Sequence, residues 1–303
     1  PVLVPHLERL VACGDGELTE VAVRALGRCR TTQAIAPLLV ALEDDGLASA
    51  AARALGRIGA SFKGEVVFAL GALPLKPHVL RAWVQVDAGG AREAVRRAAN
   101  DTDEALRAAA AEAVPALADD EVVEALGRAL TDEAAVVRRA AARTLPRVPQ
   151  AAPALLTRAL KDREPSVVAA ACDAASELKA RAAAARLTEL LGAGEGFLVL
   201  AALQALVSMG ALDDEQGAVA LQHSDPEVVK AALQLLADRP LCGAHATRLL
   251  LHPRWDVRAA AARALEVTGS PVALAAVREA VARERDAMAR RILEGVAARL
   301  NEG

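Results

Sequence analysis

One anchor position recurs at a nearly constant step along the chain, and this period limits the fold more than any other feature. Leu26, Leu55, Val84, Val114, Leu145, Ser176, Leu206, Leu236 and Leu265 follow one another at steps of 29 to 31 residues. Eight residues before most anchors stands a second apolar residue: Leu18, Leu47, Leu106, Val137, Val168, Leu198, Val228 and Val257, with Lys76 breaking the series. A fixed period of about 20–50 residues marks supersecondary units that cannot bury their apolar faces alone and must stack on their neighbours.

The clearest copy is RWDVRAAAARALEVTG, Arg254–Gly269. Val257, Ala260, Ala261, Ala264 and Leu265 fall on one helical face, and Arg258, Ala262 and Arg263 on the other. Asp256 is placed to cap this helix by accepting first-turn N–H groups. Gly269 is placed to end it in the left-handed conformation.

Between these helices the spacing predicts one further helix per unit. These cover Val2–Cys13, Gln33–Leu42, Phe62–Leu73, Ala91–Asn100, Glu121–Leu130, Ala151–Leu160, Ala182–Leu191, Glu215–Leu221, His245–Leu251 and Val272–Arg283. A helix over Ala287–Leu300 completes a tenth pair. Its charged face, with Arg290, Arg291, Glu294 and Arg299, suits a C-terminal cap over 287–303. Ser270-Pro271 and Pro153 fall at helix starts, where the missing proline N–H costs nothing. No stretch alternates as a strand does. The expectation is an all-α chain forming a single solenoid over 1–303. Apolar residues make up 54% of the sequence but aromatics only 2%, with no Tyr, so helices should meet through Ala and Leu.

DVRAAAARALEVTGSPVALAAV, VVRRAAARTLPRV and SAAARALGRIGA resemble the HEAT-like repeats of the short bacterial type, also called PBS-lyase HEAT-like repeats. The resemblance implies a right-handed α-α superhelix of about ten helix pairs, with the second helix of each pair on the concave side. The copies around Val84 and Leu206 lack the family's Asp-x-x-Val-Arg entry. The short repeat type and the Ala/Arg/Leu-rich composition point to a bacterial protein.

Function is less constrained. The 36 Lys and Arg against 39 Asp and Glu give a net charge of −3, spread evenly over both halves, which fits neither a basic nucleic-acid module nor an acidic tail. Cys13, Cys29, Cys172 and Cys242 are scattered without a C-x-x-C and read as buried thiols of a reducing compartment. No apolar run reaches the ~20 residues that span a bilayer, and no export signal is visible, so a cytoplasmic protein is expected.

The most distinctive chemistry is a set of arginine columns. Arg24, Arg53, Arg143 and Arg263 stand two residues before their anchors, and Arg28, Arg57 and Arg147 two after. Arg107, Arg138 and Arg258 form a third column at helix starts. On the concave side Arg24, Arg28, Arg53, Arg57, Arg143 and Arg147 become candidate partner-binding residues, because the guanidinium fork matches carboxylates and phosphates. The competing reading is a solvated face paired with acids of adjacent repeats. Glu112, Ala174, Gln204 and Gln234 interrupt the first column, which argues against a continuous phosphate-tracking stripe.

Trp83, near Phe62 and Phe68, is a further partner-binding candidate, since Trp can anchor a partner in a pocket; it also suits a local core. Trp255, beside Asp256 at a helix entry, reads as turn packing. The acidic runs at Glu43, Asp119 and Asp132 read as helix-end chemistry. Cys242, His245 and His252 could share one helix face, but zinc needs three or four converging ligands of fixed geometry, and no metal site or cofactor is expected. No His is followed by Glu, unlike the di-iron deoxyhypusine hydroxylases. No P-loop, H-E-x-x-H or G-x-S-x-G occurs. The expected function is a non-catalytic scaffold or adaptor that binds a protein partner, an acidic segment being one that suits the groove. The alternatives are a phycobilin lyase-like enzyme or chaperone of the same repeat family, and nucleic-acid binding through the arginines.

Overall fold

In the computed structural model, which describes residues 3–13, 16–150, 152–193, 195–269 and 271–302, the described residues form helices and connecting turns with no strand. Val2, Ala151 and Ser270 of the expected elements lie outside the described residues. The contacts gather into two compact units, residues 1–159 and 160–303.

In the first unit the helices are α1 (Val4–Ala12), α2 (Gly16–Leu26), α3 (Ile35–Leu42), α4 (Ala48–Gly59), α5 (Lys63–Gly71), α6 (Pro77–Val86), α7 (Arg92–Ala98), α8 (Glu104–Ala113), α9 (Asp119–Ala129), α10 (Ala135–Thr144) and α11 (Ala152–Ala159). The second unit contains α12 (Pro165–Leu178), α13 (Ala184–Ala193), α14 (Gly196–Ser208), α15 (Asp214–Leu221), α16 (Pro226–Leu235), α17 (Pro240–Leu249), α18 (Trp255–Thr268), α19 (Pro271–Arg283) and α20 (Ala287–Glu302). Odd-numbered helices open each pair and even-numbered helices close it, as in an α-solenoid. The expected helices recur with shifts of a few residues; the largest is α17, which starts at Pro240 rather than His245.

Within each unit successive second helices pack directly on one another, α2 on α4, α4 on α6, α6 on α8 and α8 on α10, and again from α12 through α20. Successive first helices touch less, so the second-helix layer is the inner side of each stack. Small residues permit the close approach. Ala51, Ala109, Ala141, Ala171, Ala202, Ala232 and Ala261 are fully buried, one in each of seven second helices. Leu26, Leu38, Leu42, Leu55, Ile58 and Leu70 fill the space between layers in the first unit.

Burial corrects the repeat register in two places. In α6 Ala82 is buried and Arg81 exposed, so the anchor is Trp83 rather than Val84. Leu75 then takes the position that Lys76 had seemed to break. In α12 Ala174 is buried and Asp173 exposed, so the anchor is Ala175 rather than Ser176. The backbone agrees. The described residues with positive φ are Arg30, Lys179, Gly210 and Gly269, at +47°, +51°, +62° and +59°. Each lies four residues after an anchor once Ala175 replaces Ser176. Gly269 ends α18 as expected, and Lys179 ends α12 in the same conformation at a cost that glycine avoids.

Asp256 does not cap α18. The N-cap position falls on Arg254, without a side-chain cap bond. Asp103 and Asp225 do cap their helices, and Asp213 forms a full capping box with Gln216.

The closeness of the inner layer is testable at Gly27. A Cβ there would lie 2.7 Å from Ala54 Cβ and 2.8 Å from Ala54 Cα. Backbone must move to accommodate it, so Gly27→Ala should cost about 1–3 kcal/mol in urea unfolding of the chain. Gly64→Ala, with nothing within 4 Å, should be neutral or stabilising by up to about 1 kcal/mol.

Candidate functional site

The arginines divide into two classes by position, and the division decides which can meet a partner. The helix-start column is consumed internally. The Arg107 Nη1 donates to the carbonyls of Asp101 and Thr102 at 3.0 and 3.1 Å, Arg138 to those of Asp132 and Glu133 at 2.9 Å each, and Arg258 to those of His252 and Pro253 at 2.8 and 2.9 Å. Arg107 also forks onto Asp132 of the following repeat, at 2.8 and 3.0 Å. Arg258 does the same to Glu284, at 2.7 and 2.6 Å. Each such arginine therefore ties its own entry loop to the next one.

The loop acceptor has a second duty. Asp101, Asp132 and Asp162 each accept the N–H two residues ahead, closing the turn before a second helix. His223 and His252 replace Asp in two later loops, their Nδ1 accepting the N–H of Asp225 at 3.0 Å and of Arg254 at 3.1 Å. Two of the five histidines thus hold turns. Among the described residues no three His, Cys, Asp or Glu side chains are grouped so as to hold a metal ion. Cys172 and Cys242 are buried, and burial pushes their thiols up to about 12 and about 11, far from the reactive thiolate. Cys13, expected to be buried, is exposed.

The other two columns face outward from the inner layer of the first unit. Arg24, Arg28, Arg53, Arg57, Arg143 and Arg147 are all exposed. Arg24 pairs with Glu20 at 2.5 Å on its own helix, and Arg147 donates to the Glu112 carbonyl at 3.0 Å. Arg28, Arg53, Arg57 and Arg143 make no hydrogen bond or salt bridge among the described residues. The corrected register adds Arg81, which meets Glu112 at 2.7 Å. In the second unit the same position carries Asp173, Gln204, Gln234 and Arg263, all exposed, so the basic character belongs to the first unit.

Trp83 is half-buried against the first-unit core, its ring lying over Gly71, with its indole Nε1 buried and without an acceptor among the described residues. Phe68, by contrast, is 82% exposed on α5. A cleft of about 340 Å³ opens on the first-helix side between α7 and α9, floored by Ala110 and Ala111 of α8 and edged by the Arg96–Glu121 pair. Trp255 does not serve as turn packing alone: it is 41% exposed and lines a groove with Met288, Ile292 and Leu200. Its exposure was not legible because helix-entry positions look alike in sequence whichever layer they face.

The repeat architecture has counterparts among known proteins. The HEAT repeat family profile matches residues 129–207, and that of the PBS lyase HEAT-like repeat matches residues 20–44. No curated protein matches the sequence. Among solved structures, importin beta is 14% identical with a TM-score of 0.67, covering 99% of this chain and 50% of its own. YibA of Escherichia coli is 18% identical with a TM-score of 0.56, covering 83% and 97%. These likenesses show the fold alone. The complex of CpcE and CpcF of phycocyanin lyase from Nostoc is 22% identical over 69% of this chain and 94% of that one, with a TM-score of 0.42. No helix among the described residues is long and apolar enough to cross a membrane.

The clamp makes a sharp stability prediction. The Glu284 side chain is 2% exposed. The Arg258 fork, aided by the N–H groups of Asp286 and Arg285 and opposed by burial, lowers its carboxyl from 4.5 to about 2. A carboxyl lowered by folding stabilises the fold above its ordinary value and loses that contribution as the pH falls through the lowered one. Unfolding of wild type should therefore become easier as pH drops from 4.5 towards 2. Arg258→Met should cost about 3–5 kcal/mol at neutral pH, by leaving the carboxylate buried and unpaired, and should flatten that acid limb.

Proposed function

We propose, for a chain that belongs to the HEAT-like repeat family, that it is a non-catalytic scaffold whose first unit holds an acidic protein segment against the second-helix layer. The observation that carries this reading is the contrast between the two classes of arginine. Those needed for stacking are bound to loop carbonyls or carboxylates, whereas Arg28 just beyond the end of α2, Arg53 and Arg57 on α4 and Arg143 on α10 stand exposed without a hydrogen bond or salt bridge among the described residues. A solvated face with no further duty would offer its charges to nearby acids, as Arg24 and Arg81 do. Arg53 and Arg57 are four residues apart on one helix and so present their forks side by side. Carboxylates spaced along an extended or helical partner would engage them in charge-assisted hydrogen bonds.

Nothing in the groove resembles catalytic machinery. Its outward positions carry guanidinium groups, amides and two carboxylates, Glu20 and Glu112, which Arg24 and Arg81 hold in ion pairs. Arginine recognises and positions anions but does not transfer protons near neutral pH. The adaptor reading assigns the groove selectivity rather than chemistry, with the partner's sequence deciding which arginines are used.

The test is fluorescence anisotropy with a labelled poly-glutamate peptide and with a labelled single-stranded DNA of similar charge. Wild type should bind the peptide. Arg53→Glu/Arg57→Glu should weaken it at least tenfold while leaving the circular dichroism unchanged, since both side chains are exposed. Unaltered peptide binding in that variant would remove the arginine groove from the reading. Stronger binding of the DNA, with a steep salt dependence, would favour nucleic acid as the partner.

A further inference from the structure

We propose that the second unit carries its own docking groove, for an extended peptide that places an apolar side chain beside a carboxylate. The groove lies across α14, α16, α18 and α20 on the inner layer and has a volume of about 580 Å³. It is independent of the arginine face of the first unit and does not rest on the reading given for it.

Three observations define the occupant. The first is the apolar wall. Met288 is 61% exposed and Trp255 41% exposed, and both line the same space with Leu200 and Ile292. A flat indole and a flexible thioether side by side form an adaptable surface for an aromatic or aliphatic anchor. The floor is Ala259, Ala260 and Ala231, small residues that leave room for an incoming side chain.

The second observation is a closed charge network on the rim. Lys230 meets Glu227 and Asp256 at 2.8 Å each, and Arg254 meets Glu227 at 3.1 Å and Asp256 at 2.6 Å. The Arg254 and Lys230 contacts hold the Asp256 carboxyl far below the usual carboxylate range, so it stays ionised. Two acids and two bases cancel one another, and none of the four is left to attract a ligand charge.

The third observation is Arg263. It lines the same groove, is exposed, and makes no hydrogen bond or salt bridge among the described residues. With the rim neutralised and the neighbouring Glu266 bound by Arg299, the cation of the groove left without a hydrogen bond or salt bridge is this guanidinium. Its complement is a carboxylate. The distinction from the first unit is chemical: there several guanidinium groups stand exposed on the second-helix layer, and here one cation without a bonded partner stands beside an apolar wall. A purely acidic segment suits the first, and an apolar residue next to an acid suits the second.

The test uses Trp83→Phe, which leaves Trp255 as the one tryptophan of a chain that has two. Three synthetic peptides are titrated while the Trp255 emission is followed: a phenylalanine pair flanked by aspartates, the same peptide with serine for phenylalanine, and the same peptide with asparagine for aspartate. The first should give a saturable shift in emission. Each of the other two should bind at least tenfold more weakly, as should the first peptide to Arg263→Glu and to Met288→Glu. Both of those positions are exposed, so the variants should keep the wild-type circular dichroism. Arg53→Glu/Arg57→Glu should leave the titration unchanged, which separates this site from the first-unit groove. Absence of a shift up to millimolar peptide, equal binding of the serine peptide, or full binding by Arg263→Glu would overturn the proposal. So would an emission shift that follows protein concentration without peptide, because a second copy of the chain would then be the occupant.

Discussion

No helix pair of this chain can bury its own apolar surface, and the architecture is the answer to that deficit. Each second helix presents a small-residue stripe on two sides, so that it packs at once on the helix before it and the helix after it. Stability then accrues from neighbour to neighbour rather than from one central core. Fully buried alanines such as Ala109, Ala141 and Ala261 are the signature of this packing. Bulk there would push neighbours apart. Positions that point away from the stack do not fill its core, so their chemistry is less constrained by packing, although some, such as Arg81 and Arg147, still bond to the neighbouring repeat.

The period, the helical content and the helix stop at Gly269 were legible because they depend on residue type at short range. The register of repeats three and six was not. At the third anchor both Val84 and Trp83 are apolar, and at the sixth both Ser176 and Ala175 are small, so pattern matching tolerates a slip of one residue. Burial of the neighbouring alanines Ala82 and Ala174 decides between them. The backbone gives a second sign for the sixth, since left-handed Lys179 lies as far beyond Ala175 as Gly269 lies beyond Leu265, but a lysine gives no hint of that conformation in the sequence. The slip had a chemical consequence, since it hid Arg81 from the outward column in the third repeat and counted buried Ala174 in place of Asp173 in the sixth.

The site was half legible. The arginine columns could be drawn from spacing, but spacing does not tell a clamp from a free fork. The carboxylates that capture Arg107 and Arg258 lie 25 and 26 residues further on, in turns that sequence reading treats as linkers. The surroundings of Trp255 were hidden for a related reason: the residues that line the groove with it, Leu200, Met288 and Ile292, come from other helices and meet it only through stacking. The outward positions of the second helices differ between the two units: exposed guanidinium groups recur in the first, and in the second Arg263 stands beside Trp255, Met288 and Ile292.

The Arg107–Asp132 and Arg258–Glu284 clamps each reach in the same direction, from a helix entry to the loop that follows in the chain. Such a link has a polarity, with a plug on one side of the repeat that carries it and a socket on the next. A unit of this kind can be copied in tandem without redesigning its borders, because a duplicated plug meets a duplicated socket. The same chemistry that holds the present chain together therefore gives its lineage an easy route to change length, adding or losing one rung of outward-facing residues at each step.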